Sequence, residues 1–144
     1  MRIKEYGEEG QSLLESYLKI EDFWGNVYYW IDGFFCNASR NILIGNQSFN
    51  DTGSGYTNYG QGATSDIYGC INTIQGGTET GFVAKAVTGS NSTYYSDYGA
   101  LCAGYLPVFG GYWSDGSTAG TFQLPVSYSA SGVVSSIGSR LLAL

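Results

Sequence analysis

The chain has 144 residues, of which 12% are charged and 16% aromatic, with 22 glycines and a formal net charge of -6. That length suits one domain with a core of its own, and low charge with many aromatics excludes a disordered chain. Six basic residues cannot neutralise a row of phosphates, which argues against nucleic acid and against anionic membranes, and the absence of histidine rules out Ser-His-Asp and Cys-His catalysis.

Six of the twelve acids (Glu5, Glu8, Glu9, Glu15, Glu21 and Asp22) fall in the first 22 residues. The start, MRIKEYGEEGQSLLESYLKI, has no apolar run or small-residue cleavage site of the kind a secretory signal needs. No stretch is long enough to span a bilayer. The expectation is a protein made in a cytoplasm, which reaches the outside by lysis or within a larger particle. Leu13, Leu14, Tyr17 and Leu18 recur at helical spacing, with Glu15 and Lys19 four apart, which predicts a short amphipathic helix over residues 10–20 whose apolar face docks on the rest.

Beyond residue 22 helix formers are scarce and Gly, Ser, Thr, Asn and Tyr dominate, so short strands and long loops follow. Strands are predicted at 27–32 (VYYWID) and 41–45 (NILIG), then a long polar loop at 46–66, NQSFNDTGSGYTNYGQGATSD. A loop of that length in a compact domain is usually functional. Short strands follow near 70–74 and 81–86, then a second loop at 89–99 carrying Tyr94, Tyr95 and Tyr98. Strands resume at 101–105 and 108–113. Gly116, Gly120 and Gly132 permit turns and Pro125 lacks a ladder donor, so residues 114–136 read as loop with short edge pieces, before a closing strand at 137–144. The class expected is α+β, β- and loop-rich, in one domain spanning residues 1–144 with one or two short helices.

Cys36, Cys70 and Cys102 show no C-x-x-C spacing and are odd in number, which favours buried free thiols over a disulfide. Neither zinc nor any other metal or cofactor is expected. Trp24, Trp30 and Trp113 read as core residues, each needing a partner for its indole N–H. Arg140 reads as structural, paired with an acid such as Asp32. The segment from Tyr112 to Ser139 is different: it has no core periodicity and contains neither Lys nor Glu. Its Tyr, Ser and Gly form the composition of antibody recognition loops, large rigid rings beside adaptable hydrogen-bonding groups.

The run from Phe23 to Gly33, FWGNVYYWIDG, resembles the W-G-N-V-W-E-W-x-D signature of C-type-lectin-like domains related to formylglycine-generating enzyme. Phe109–Trp113 (FGGYW) resembles that family's R-G-G-S-W strand, and Ile137–Arg140 (IGSR) its closing I-G-F-R. Departures are Phe109 in place of Arg and Tyr28-Tyr29 in place of Trp-Glu. SNSTYYSDY at 90–98, followed by G-G-x-W, an interleaved stretch and I-G-x-R-L, is similar to the variable proteins of diversity-generating retroelements and related phage tail proteins.

That resemblance implies a C-type-lectin-like fold whose 3′-encoded positions are rewritten at adenines by an error-prone reverse transcriptase. It implies a structural frame of Trp24, Gly25, Asn26, Trp30, Asp32, Gly110, Gly111, Trp113, Gly138 and Arg140. The ligand-binding surface it implies is Tyr112, Ser114, Asp115, Ser117, Thr118, Thr121, Gln123, Ser127, Tyr128 and Val133. The implied partner is a bacterial surface protein or glycan receptor. The implied setting is a phage tail or fibre, or prophage-encoded surface display, as a homo-trimer or attached to a larger tail protein; the alternative is a fixed structural or adhesion module of a virion or fibre, in which the same face is a constant protein interface. No catalysis is expected: the copper-binding cysteines of the enzymatic relatives would lie just beyond G-G-x-W, where this chain has Gly116, Thr118 and Gly120. Calcium-dependent sugar binding is equally weak, because the acids beyond residue 32 are scattered singly.

Overall fold

Short runs of aromatic and β-branched residues, punctuated by glycine and asparagine, can pair as strands but cannot sustain a helix. The computed structural model describes residues 25–90, 92, 97–120 and 122–138. Among them are β1 (Tyr28–Trp30), β2 (Phe34–Cys36), β3 (Asn41–Ile44), β4 (Thr57–Gln61), β5 (Ile67–Cys70) and β6 (Thr73–Ile74). Then come β7 (Ala84–Ala86), β8 (Tyr98–Leu101), β9 (Leu106–Phe109), β10 (Leu124–Tyr128) and β11 (Ile137–Gly138).

The strands form a six-stranded sheet in the order β11-β1-β9-β10-β8-β5, a three-stranded sheet β2-β3-β4 and a two-stranded ribbon β6-β7. The large sheet is mixed: β1 runs parallel to β11 and β10 parallel to β8, while β9 is antiparallel to both β1 and β10. One hydrophobic cluster ties the sheets together. Phe34, Cys36 and Ile42 come from the three-stranded sheet, Leu101, Leu124 and Val126 from the large one, and Val83 from beside β7. Full burial of such a side chain contributes about 1.5–3 kcal/mol, so this shared contact is what makes the three sheets one core.

The α+β expectation, with its C-type-lectin-like helices, is corrected. Among the described residues the helical element is a 3-10 turn, Gly116–Thr118, and the rest is β and loop. The physical reason is composition: beyond residue 22 no run of helix formers is long enough to propagate a helix. The helix predicted at 10–20, Trp24, Tyr94, Tyr95, Thr121, Arg140 and the closing strand beyond Gly138 lie outside the described residues.

Two further expectations change. The stretch 114–136 contains β10, an interior strand paired on both sides. Pro125 sits opposite Ala100 within it, and the ladder passes through the carbonyls around it: Gly110 N–H donates to Gln123 C=O (3.2 Å) and Cys102 N–H to Val126 C=O (2.9 Å). The missing proline donor therefore removes one bond without breaking the strand. Leu124, Pro125 and Val126 are all buried, so the run lacks the alternation that marks a half-exposed strand. The polar loop at 46–66 likewise contains β4, whose five residues are all exposed. An edge strand with no buried face shows no hydrophobic rhythm either.

Candidate functional site

Gly110 and Gly111, at φ +94° and +70°, turn the chain off β9 in a conformation that glycine tolerates and other residues resist. Gly111 has a second reason to lack a side chain. A Cβ there would collide with Gln123 Oε1 and approach Ala119 Cβ to 2.9 Å. The chain then presents Tyr112 and Trp113, tightens at the 3-10 turn, and returns so that Gln123 lies beside Gly110. The Gly25-Asn26 segment is stitched to the same place, Gly25 N–H donating to Gly110 C=O (2.6 Å) and Trp113 N–H to Asn26 C=O (3.2 Å).

Beneath this turn lies a hydrogen-bond hub. Asp115 Oδ2 accepts from the Tyr28 hydroxyl (2.8 Å), from Gln123 Nε2 (2.7 Å) and from the Tyr112 backbone N–H (3.1 Å). Gln123 Nε2 also donates to the Tyr28 hydroxyl oxygen at 2.7 Å. Bonds to a carboxylate are about twice as strong as neutral ones, and the groups they satisfy are buried: Gln123 is 0% exposed and Tyr28 3%. Burial first, then the bond to Asp115, push the Tyr28 phenol far above its ordinary pKa. It is therefore a neutral donor at any physiological pH. Gln123 Oε1 is buried without a hydrogen-bond partner among the described residues.

Aromatic rings radiate from the hub. Tyr28 packs at 5.3 Å from Tyr112 and 5.7 Å from Tyr128, at tilted angles. Tyr112 meets Trp113 edge-on at 5.3 Å, and Tyr128 meets Trp30 edge-on at 6.3 Å. The result is a continuous array running Trp113, Tyr112, Tyr28, Tyr128, Trp30, with Tyr28 buried at its middle. Trp113, at one end, is 59% exposed. Tilted and edge-on pairs of this kind contribute about 0.5–1.5 kcal/mol each beyond their burial. Burial, followed by the nearby Asp115 charge, also raises the Tyr128 phenol.

The expected ligand-binding set divides. Tyr112 and Tyr128 are half-buried members of the array, and Ser114 and Ser117 are exposed on the turn. Ser127 is half-buried on β10, and Val133 is 95% exposed on the loop that follows. Thr118 is half-buried with its hydroxyl donating to Asp115 C=O at 2.8 Å. Gln123 is buried and Asp115 half-buried, and both turn their polar ends toward Tyr28. Trp113 is corrected from core to surface, since the Gly-Gly turn lifts it out of β9; Trp30 is half-buried, and Asp32 is exposed. Gly138 pairs with Tyr29 across β1 and β11.

Sequence reasoning missed Tyr28 as the hub, where its hydroxyl both donates to Asp115 and accepts from Gln123. It also missed Phe122, 73% exposed, whose N–H is held by Asp97 Oδ2 at 2.7 Å. All three cysteines are free thiols, Cys36 and Cys102 buried and Cys70 half-buried. Burial chiefly pushes the Cys36 thiol up to about 12. Among the described residues no three Cys, Asp or Glu cluster as metal ligands.

Fold and site together define a β protein that presents aromatic and hydroxyl side chains over a hydrogen-bond hub of half-buried Asp115 with buried Tyr28 and Gln123. No known family, characterised protein or solved structure matches the chain.

Proposed function

We propose that this chain is a receptor-binding display module, in which a fixed β frame carries an exchangeable contact surface directed at a bacterial surface receptor, in the setting of a phage tail or fibre. The observation that carries the reading is the aromatic array, with Trp113 exposed at one end, Tyr112 and Tyr128 half-buried, and Tyr28 locked to Asp115 and Gln123. Such a design separates contact from support: Tyr112, Trp113, Tyr128, Ser114 and Ser117 supply area and adaptable hydrogen bonds, while the hub sets where they stand. Rigid Tyr and Trp rings bury large area at small entropy cost, which is why they dominate binding hot spots.

Deep sequencing of the gene's 3′ end across a population tests the proposal. Substitutions at adenines shared with a nearby template copy are expected in the codons of Tyr112, Ser114, Ser117, Ser127, Tyr128 and Val133, with Gly111, Asp115 and Gln123 constant. A uniform sequence without a template copy overturns the diversified reading and leaves a fixed adhesion module with one dedicated partner.

A further inference from the structure

A second region has no part in the aromatic array. Between the end of β3, the start of β4 and the turn that follows β6 lies a groove of about 260 Å³, lined by Ile44, Asn46, Gln47, Thr57, Tyr59 and Glu79 together with glycine backbone. Its lining is mostly polar, and its aromatic member, Tyr59, is 43% exposed.

The loop forming one wall is pinned by its own bonds. Asn50 Oδ1 accepts from the backbone N–H groups of Thr52 (3.1 Å) and Ser54 (3.0 Å), and Asn50 Nδ2 donates to Ser54 C=O at 2.9 Å. The Tyr56 hydroxyl accepts from Asn50 N–H (2.8 Å) and donates to Asn50 C=O (3.0 Å). The Tyr56 ring lies so close over Gly45 that a Cβ there would collide with it. The polar groups of Asn50, Thr52, Ser54 and Tyr56 are thus spent on holding the loop. Those of Asn46, Gln47, Thr57, Tyr59 and Glu79 make no side-chain hydrogen bond or ion pair among the described residues. A wall built to stay in place, with its remaining donors and acceptors converging on one groove, is the arrangement of a binding site rather than of a merely hydrated loop.

The chemistry of the lining selects the ligand. Two carboxamides and the hydroxyls of Thr57 and Tyr59 offer both donors and acceptors, and the Glu79 carboxylate accepts from paired hydroxyls. Tyr59 offers a ring face for an apolar C–H face. Among the described residues no basic side chain lines the groove, so an anion finds no counter-charge among them. The volume falls just below the range of about 300–1,000 Å³ that takes drug-sized molecules, so it suits a single ring. A pyranose has one apolar face and a rim of hydroxyls, and it meets each of these conditions.

We propose that the groove between β3, β4 and Glu79 is a second binding site, for one uncharged pyranose unit of a glycan. It is independent of the aromatic array, and the two can be separated experimentally. The probes are a panel of neutral hexoses and N-acetylhexosamines, titrated into the full chain and followed by ligand-detected NMR. At least one member should bind in the millimolar range, with Tyr59→Ala and Gln47→Ala each weakening it about tenfold, equivalent to about 1.4 kcal/mol. Trp113→Ala should leave that binding unchanged. Glu79→Gln, in an exposed turn, provides a variant that retains the fold and should weaken binding severalfold. The proposal is overturned if no member of the panel binds, if binding survives Tyr59→Ala and Glu79→Gln, or if it is lost with Trp113→Ala.

Discussion

The turn after β9 and the loop after β3 share the residue types Gly, Ser, Thr, Tyr, Asp and Gln, and they use them in opposite ways. After β9 the polar groups of Asp115 and Gln123 close on Tyr28, and the exposed ring is that of Trp113. After β3 the loop satisfies itself through Asn50 and leaves a separate set of polar ends facing a groove. The difference shows that composition alone does not say whether a polar residue supports a surface or belongs to it. What decides is whether a buried partner lies within reach.

The comparison breaks most sharply at Gly111. Gly111→Ala places a methyl against Gln123 and Ala119 in a left-handed conformation, and strain plus overpacking should cost about 3 kcal/mol. Gly116→Ala, at φ +57° with open space around it, should cost only about 1–2 kcal/mol. Chemical denaturation of the pair checks the difference, and equal losses would mean that Gly111 is needed for its φ alone.

Removing the hub acceptor comes next. Asp115→Ala leaves the Tyr28 hydroxyl without its acceptor and Gln123 short of one, which should cost about 2 kcal/mol and loosen Tyr112 and Tyr128 together. Near-ultraviolet circular dichroism should register the loss of fixed ring packing. Alkaline titration probes the same hub. The folded pKa of Tyr28 lies above its ordinary value of 10.0, so its contribution is complete below pH 10 and lost as the pH rises further. The melting temperature should fall above pH 10, and Tyr28→Phe should flatten that fall.

Asn50→Ala tests the other region. It deletes the bonds that hold the 50–54 turn and should cost about 1 kcal/mol without disturbing the ring signals of the aromatic array. The smallest effect on stability belongs to Trp113→Ala. A ring that is 59% exposed and loses its edge-on pair with Tyr112 should cost about 0.5 kcal/mol, the low end for such a pair, yet the same variant should lose capture of a receptor. A Trp113→Ala variant that unfolds would return this residue to the core.

Several elements were legible locally. VYYWID and NILIG announced β1 and β3 by their β-branched and aromatic residues, whereas the strand expected over 108–113 stops at Phe109, where Gly110 and Gly111 turn the chain at positive φ. β10 and β4 were not, for complementary reasons. Leu124-Pro125-Val126 is buried throughout and Thr57–Gln61 is exposed throughout, so neither shows the period of two on which a strand reading rests. Within the candidate site, Tyr112, Tyr128, Ser114 and Ser117 were legible as a group through their recognition-loop composition. The inward turn of Asp115 and Gln123, and the exposure of Trp113, were not.

By itself the sequence determined the preference for strand over helix beyond residue 22, because side-chain type biases each backbone locally, and it determined where glycine alone could turn the chain. Only the tertiary structure decided which polar residues became supports. Tyr28 meets Asp115 across 87 positions and Gln123 across 95. A hydrogen bond between groups so far apart in the chain exists only once β1, β9 and β10 have paired and excluded water from the space between them.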